Sequence, residues 1–133
     1  MKKLLLLLIS LLISFNSYGG LTYFGDNADG DTFYIDIETI KEHGGYVYWW
    51  RMIDLVKPTK DGTMSYRMYK QGDCGVNRYK VLSFNLYNQP MGRGNMEKIT
   101  PPSEWNYPIP ESVSGVELTL ICRCEKWNIC RII

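Results

Sequence analysis

The side chains able to do chemistry are few. One histidine, His43, lies in "EHGGY"; Asp54 and Asp73 fall on segments that read as neighbouring strands; and four cysteines, Cys74, Cys122, Cys124 and Cys130, occupy the second half of the chain. Catalysis requires a nucleophile with its base, a carboxylate pair in a cleft, or a metal. A Ser-His-Asp arrangement has only His43 to draw on, and a histidine beside two glycines reads first as a solvated turn residue. Asp54 and Asp73 read first as partners of Arg51, Arg67 or a turn amide, and only second as an acid-base pair. "MGRGN" lies in a proline-rich stretch and not between a strand and a helix, so it is no phosphate cradle. No catalytic residue and no cofactor is assigned, and the chain is read as a non-enzyme.

The cysteines point to oxidation. There is no CxxC, and a lone histidine gives zinc no paired ligands, so no metal site is assigned. Four cysteines allow three pairings. A bridge across one intervening residue is strained, which disfavours Cys122 with Cys124 and leaves two schemes.

A third constellation is basic. Arg67, Lys70, Arg78 and Lys80, with Lys57 and Lys60 near a turn, make a candidate patch for sulfated glycans or acidic protein segments. The plainer reading is solvated strand faces and lysines that protect sheet edges.

These residues need a scaffold, and the chain announces where it works. It opens "MKKLLLLLISLLISFNSYGG": two lysines, an apolar run too short to span a bilayer, then small residues before a plausible cut after Gly19. Residues 1–19 are therefore read as a signal peptide and 20–133 as a single mature domain without a membrane span. Export places the cysteines where disulfides persist. The whole chain carries a formal charge of +1, and loss of Lys2 and Lys3 makes the mature part slightly negative, which argues against nucleic acid as a partner.

Along the mature part, "TFYIDI" reads as a strand, and "DIETIKEHGG" as a short helix or turn with Asp36 as N-cap and Gly44–Gly45 as its end. "YVYWWRMIDL" is apolar on both faces: Tyr46, Tyr48, Trp50 and Met52 on one, Val47, Trp49, Ile53 and Leu55 on the other. "KPTKDGT" turns the chain into "MSYRMYKQG", a hairpin. "NRYKVLSFNLY" follows as a strand with Leu82, Phe84 and Leu86 on one face. "NQPMGRGNMEKITPPSEWNYPIPE" reads as a long surface excursion anchored in the core by Trp105. "ESVSGVELTLICR" fits strand and helix spacing equally; its β-branched content favours a strand, while Pro110 and Glu111 at its front, with Ser112 nearby, favour a helix start.

Trp50 and Asp54 as W-x3-D, then "LVKP", "SYRMYKQGDC", "NRYKVLSFNLY", "MGRG", Trp105, "PIPES" and Cys122 occur in an order that resembles the bacterial surface-adhesin protein E-like family, over about Tyr46 to Arg123. The resemblance implies an α+β fold, a bent antiparallel sheet with a C-terminal helix on one face tethered by a Cys74–Cys122 bridge. It tips the ambiguous segment to helix. Cys124 and Cys130 lie beyond the matched pattern and would close a small loop in the tail. The family's members look like exported adhesins that bind host cells and matrix proteins such as laminin and vitronectin, and can be dimeric. This chain departs in having no lipid-anchor cysteine after its apolar run.

The aromatic strand is then expected at the centre of the sheet, one face under the helix and the other partly exposed. Tyr48 and Trp49, with the basic residues, are the candidate binding or self-association surface, because tyrosine and tryptophan join a large apolar body to a polar edge. The competing arrangement has the proline-rich excursion covering that face. The leading function is an exported binding protein with a protein or glycan ligand and a possible homodimer; the alternative is a periplasmic or secreted accessory or inhibitor protein with a partner in the bacterial envelope.

Overall fold

The computed structural model describes residues 20–127. The signal-peptide assignment, and Cys130 as the expected partner of Cys124, fall outside this range. Six strands form one antiparallel sheet in chain order: β1 (Leu21–Asp26), β2 (Thr32–His43), β3 (Tyr46–Asp54), β4 (Ser65–Asp73), β5 (Arg78–Gln89) and β6 (Arg93–Ile99). Among the described residues one α-helix, α1 (Val113–Trp127), crosses one face. No described helix is long and apolar enough to cross a membrane.

The meander follows from its turns. Gly44 and Gly45 both take positive φ, the geometry of a two-residue hairpin that only glycine enters freely, and they join β2 to β3. Four of the five ladders carry a register shift, and each such bulge bends and twists its strand.

The largest shift corrects the helical turn expected at "DIETIKEHGG". Asp36 pairs with Trp50 and Lys41 with Tyr48, so four residues of β2 stand against Trp49 alone. Thr39 holds this bulge: its Oγ1 donates to the Asp36 carbonyl at 2.7 Å and accepts from the Trp50 amide at 3.0 Å. Ile37 and Ile40 pack towards the core from either side of it. Their burial outweighs the local helix signals.

Two strands were not expected. β1 and β6 are the sheet edges, and every residue of β6 is exposed, so no alternation marks it in the sequence. Part of the proline-rich excursion is thus β6, preceded by a tight turn at Pro90–Gly92. Leu82 does not share a face with Phe84 and Leu86, because it is the extra residue of the β4–β5 bulge and is 37% exposed. Trp105 is half-buried against Tyr46, outside the core under the helix, with ring centroids 5.8 Å apart.

The core lies between the helix and β2–β3: Ile35, Val47 and Trp49 meet Leu118 and Ile121. Each fully buried side chain of this size stabilises the fold by roughly 1.5–3 kcal/mol. Ser112 caps the helix, its Oγ accepting from the Gly115 amide at 3.1 Å. A Cβ on Gly72 would meet the Trp49 ring at 2.8 Å and Leu118 at 3.1 Å, so its absence lets the helix sit down on the sheet. The Cys74–Cys122 disulfide, with Cα atoms 5.7 Å apart, fixes the helix to the end of β4.

Candidate functional site: two faces of one aromatic strand

Alternation on β3 sends neighbouring aromatics to opposite faces. The helix-side face takes Val47, Trp49, Arg51 and Ile53, in register with Gly72, Lys70, Met68 and Tyr66 of β4. The other takes Tyr46, Tyr48, Trp50 and Met52, with Gln71, Tyr69 and Arg67 of β4 beside the last three.

The helix-side face closes on a charge cluster. Glu117, fully buried on α1, accepts from the Trp49 indole N–H at 2.8 Å, Arg51 Nη1 at 3.0 Å and Lys70 Nζ at 2.8 Å. Rings complete the cage: Arg51 lies 5.4 Å from the Phe33 centroid and Lys70 4.1 Å from that of Tyr79. Burial alone would raise the Glu117 carboxyl, but the charges of Lys70 and Arg51 outweigh it and hold the group below the ordinary range. Burial pushes the Lys70 ammonium down to about 8, against the attraction of Glu117 and aided by repulsion from Arg51. Two cations share one carboxylate, and because arginine keeps its proton, the lysine is the member that yields as pH rises.

This cluster corrects two expected surface residues. Trp49 and Lys70 are each only 1% exposed and serve the core. A residue directly after Tyr48, and one three positions after Arg67, must point to the other face of a strand. Glu117 was missed altogether; the available signal was a carboxylate inside the apolar stripe of a segment facing a strand rich in cations.

The other face is open across its middle among the described residues. Tyr48 and Trp50 are half-buried and meet the Tyr69 ring at centroid distances of 6.0 and 5.0 Å. One end is closed by the Pro90–Gly92 turn, whose Met91 amide donates to Asp54 at 2.8 Å and whose Gly92 amide donates to Ser65 at 2.8 Å. At the other end Trp105 lies under Arg78 and Lys80, at 4.0 and 4.4 Å from its centroid. The excursion therefore covers the two ends of this face and leaves the centre.

Arg67, Arg78 and Lys80 share this face, whereas Lys57 and Lys60 lie on the β3–β4 loop at the far end from Arg78. The expected basic patch is thus divided. Arg78 is paired with Asp73 at 3.0 Å. Arg67 Nε and, on β2, Asp36 Oδ1 are buried without a hydrogen-bond partner. Burial raises the Asp36 carboxyl, with a hydrogen bond to the Glu38 backbone and then the charge of Arg67 drawing it back in part. Trp50 and Tyr69 complete the row with Tyr48, and both were legible from period-two spacing.

The candidate chemistry finds no shared site. Asp54 and Asp73 stand at opposite ends of the sheet, Asp54 on Met91 and Asp73 on Arg78. His43 is exposed at the β2–β3 hairpin.

Comparison with known proteins agrees with this architecture. The sheet and helix are similar to the crystal structure of protein E from non-typeable Haemophilus influenzae, at 18% identity over 84% of this chain and 81% of that one, with a TM-score of 0.60. A second structure of Haemophilus influenzae protein E gives 19% identity over 81% of this chain and 87% of that one, with a TM-score of 0.61. At these identities the likeness is one of fold. No curated protein sequence matches the chain. The sequence model for surface-adhesin protein E matches residues 21–123, and the chain belongs to that family.

Proposed function

We propose that this protein is exported through residues 1–19 and acts outside the cytoplasm as a non-enzymatic adhesin, its open face contacting host matrix proteins or cell surfaces. The observation that carries the reading is the unequal treatment of β3. Its helix-side face is sealed by α1, while Tyr48, Trp50 and Tyr69 remain half-exposed between two closed ends. Rigid aromatics of this kind dominate contact energy in protein recognition. The Cys74–Cys122 bridge supports an oxidising compartment.

The test is saturable binding of the oxidised mature chain to immobilised laminin and vitronectin, with Tyr48→Ser and Trp50→Ser compared at confirmed fold. Each variant is expected to weaken binding by about tenfold or more, the range of a hot-spot truncation. Sedimentation of the same proteins reads whether a second copy occupies this face. Unchanged binding and unchanged oligomeric state in both variants would remove the face from the proposal; a folded chain that binds neither matrix protein nor host cells would turn the search to envelope partners.

A further inference from the structure

Resting on the adhesive reading, we propose that the open face is a subsite for an acidic oligosaccharide, its rings on Trp50, Tyr69 and Tyr48 and its acid groups at Arg67 and Lys80. Three observations combine. The Tyr48–Tyr69–Trp50 row is continuous, with centroid spacings of 6.0 and 5.0 Å; Tyr48 meets Tyr69 edge to face and Trp50 is tilted against it, so the half-buried row offers a stepped series of apolar ring surfaces. The C–H faces of a sugar and its ring of hydroxyls complement such a platform.

The second observation is charge. The described ion pairs occupy Arg51, Lys70 and Arg78, but not Arg67 or Lys80. The carboxylates nearby do not neutralise them: Asp54 takes the Met91 amide, Asp73 takes Arg78, and Asp36 feels Arg67 without forming an ion pair. Arg67 Nε, buried against Gly92, has no hydrogen-bond partner, so no acceptor on that side offsets the guanidinium charge. Half-buried cations without an ion pair are available to the acid groups of a ligand, with which they form charge-assisted hydrogen bonds.

The third is spacing. Lys80 is in register with Gln71, four residues from Arg67 along β4, with Tyr69 midway. At the rise of a strand the two cations stand about 14 Å apart. The ends are stopped by the Gly92 turn, packed on Arg67, and by Trp105 under Lys80. A single acid group reaches one cation; a linear chain of several sugars reaches both and crosses the rings between them.

The experiment titrates the oxidised mature chain with heparin-derived disaccharide, tetrasaccharide and hexasaccharide, a neutral oligosaccharide of tetrasaccharide length, and a glutamate-rich peptide. Tetrasaccharide is expected to bind about tenfold more tightly than disaccharide or the neutral chain, with Arg67→Gln and Lys80→Gln each removing about tenfold, as loss of one charge-assisted contact does. Equal affinity for disaccharide and tetrasaccharide overturns the spanning geometry. Peptide binding as tight as that of the tetrasaccharide overturns the assignment to sugar. No oligosaccharide binding by a chain that still binds laminin sinks this proposal and spares the adhesive one; oligosaccharide binding without matrix or cell binding does the reverse.

Discussion

The two faces of β3 draw on the same residue types. Each presents tryptophan from β3, a cation from β4 and tyrosine close by, yet one face is core and the other is surface. The difference is one residue of phase and one carboxylate. Glu117 neutralises the helix-side cations and binds the indole, so aromatic and charged groups become a clamp for α1. On the opposite face Asp73 pairs with Arg78 alone, and among the described residues Arg67 and Lys80 have no ion pair.

The comparison breaks most visibly at Glu117. Glu117→Ala leaves Arg51 and Lys70 buried together without a counter-charge and is expected to cost about 3–5 kcal/mol in denaturant unfolding. Removing the disulfide as Cys74→Ser/Cys122→Ser frees a loop with a sequence separation of 48 and is expected to cost about 4 kcal/mol, read in the same way. Lys70→Met, by contrast, keeps Glu117 on Arg51 and Trp49, and its expected cost is about 1 kcal/mol. That asymmetry is the signature of one anion serving two cations; equal losses for Glu117→Ala and Lys70→Met would refute it.

Acid sharpens the comparison. Glu117 has its carboxyl lowered in the folded chain, so its contribution is complete above the unfolded value of 4.5 and is lost as pH falls through the folded value. Thermal midpoints of the wild type should therefore fall further below that pH than those of Glu117→Gln. The smallest expected effect is on the open face: Trp50→Ser should change stability by less than about 1.5 kcal/mol while weakening binding. A larger loss of stability would place Trp50 with the core.

Much of this was readable in the chain, and the failures share a cause. The central strand and its two faces follow from Tyr46 to Leu55 alone, whereas the helix that Ser112 caps follows from resemblance, because the spacing of its residues fits a strand equally well. The tether of Cys74 to Cys122 came from resemblance, since four cysteines leave the pairing open. β6 was hidden because an edge strand exposed at every residue has no apolar face to alternate. The bulge at Ile37–Ile40 was hidden because helix-start residues and a wide bulge share polar, turn-forming chemistry, and only burial against α1 chooses between them. Tyr48 and Trp49, like Arg67 and Lys70, lie on opposite faces of their strands, a separation that period-two spacing dictates.

The Cys74–Cys122 bond has a mechanical consequence. Tension applied between the two ends of the described chain runs along the backbone to Cys74, crosses the sulfurs and leaves through Cys122, bypassing everything between. The span of 48 residues, which includes all of β5 and β6, carries no load, and about 160 Å of contour stays locked away from stretching. Single-molecule extension before and after reduction would read that length directly. Under shear, the oxidised domain is a short tether in which β1 to β4 bear the pull.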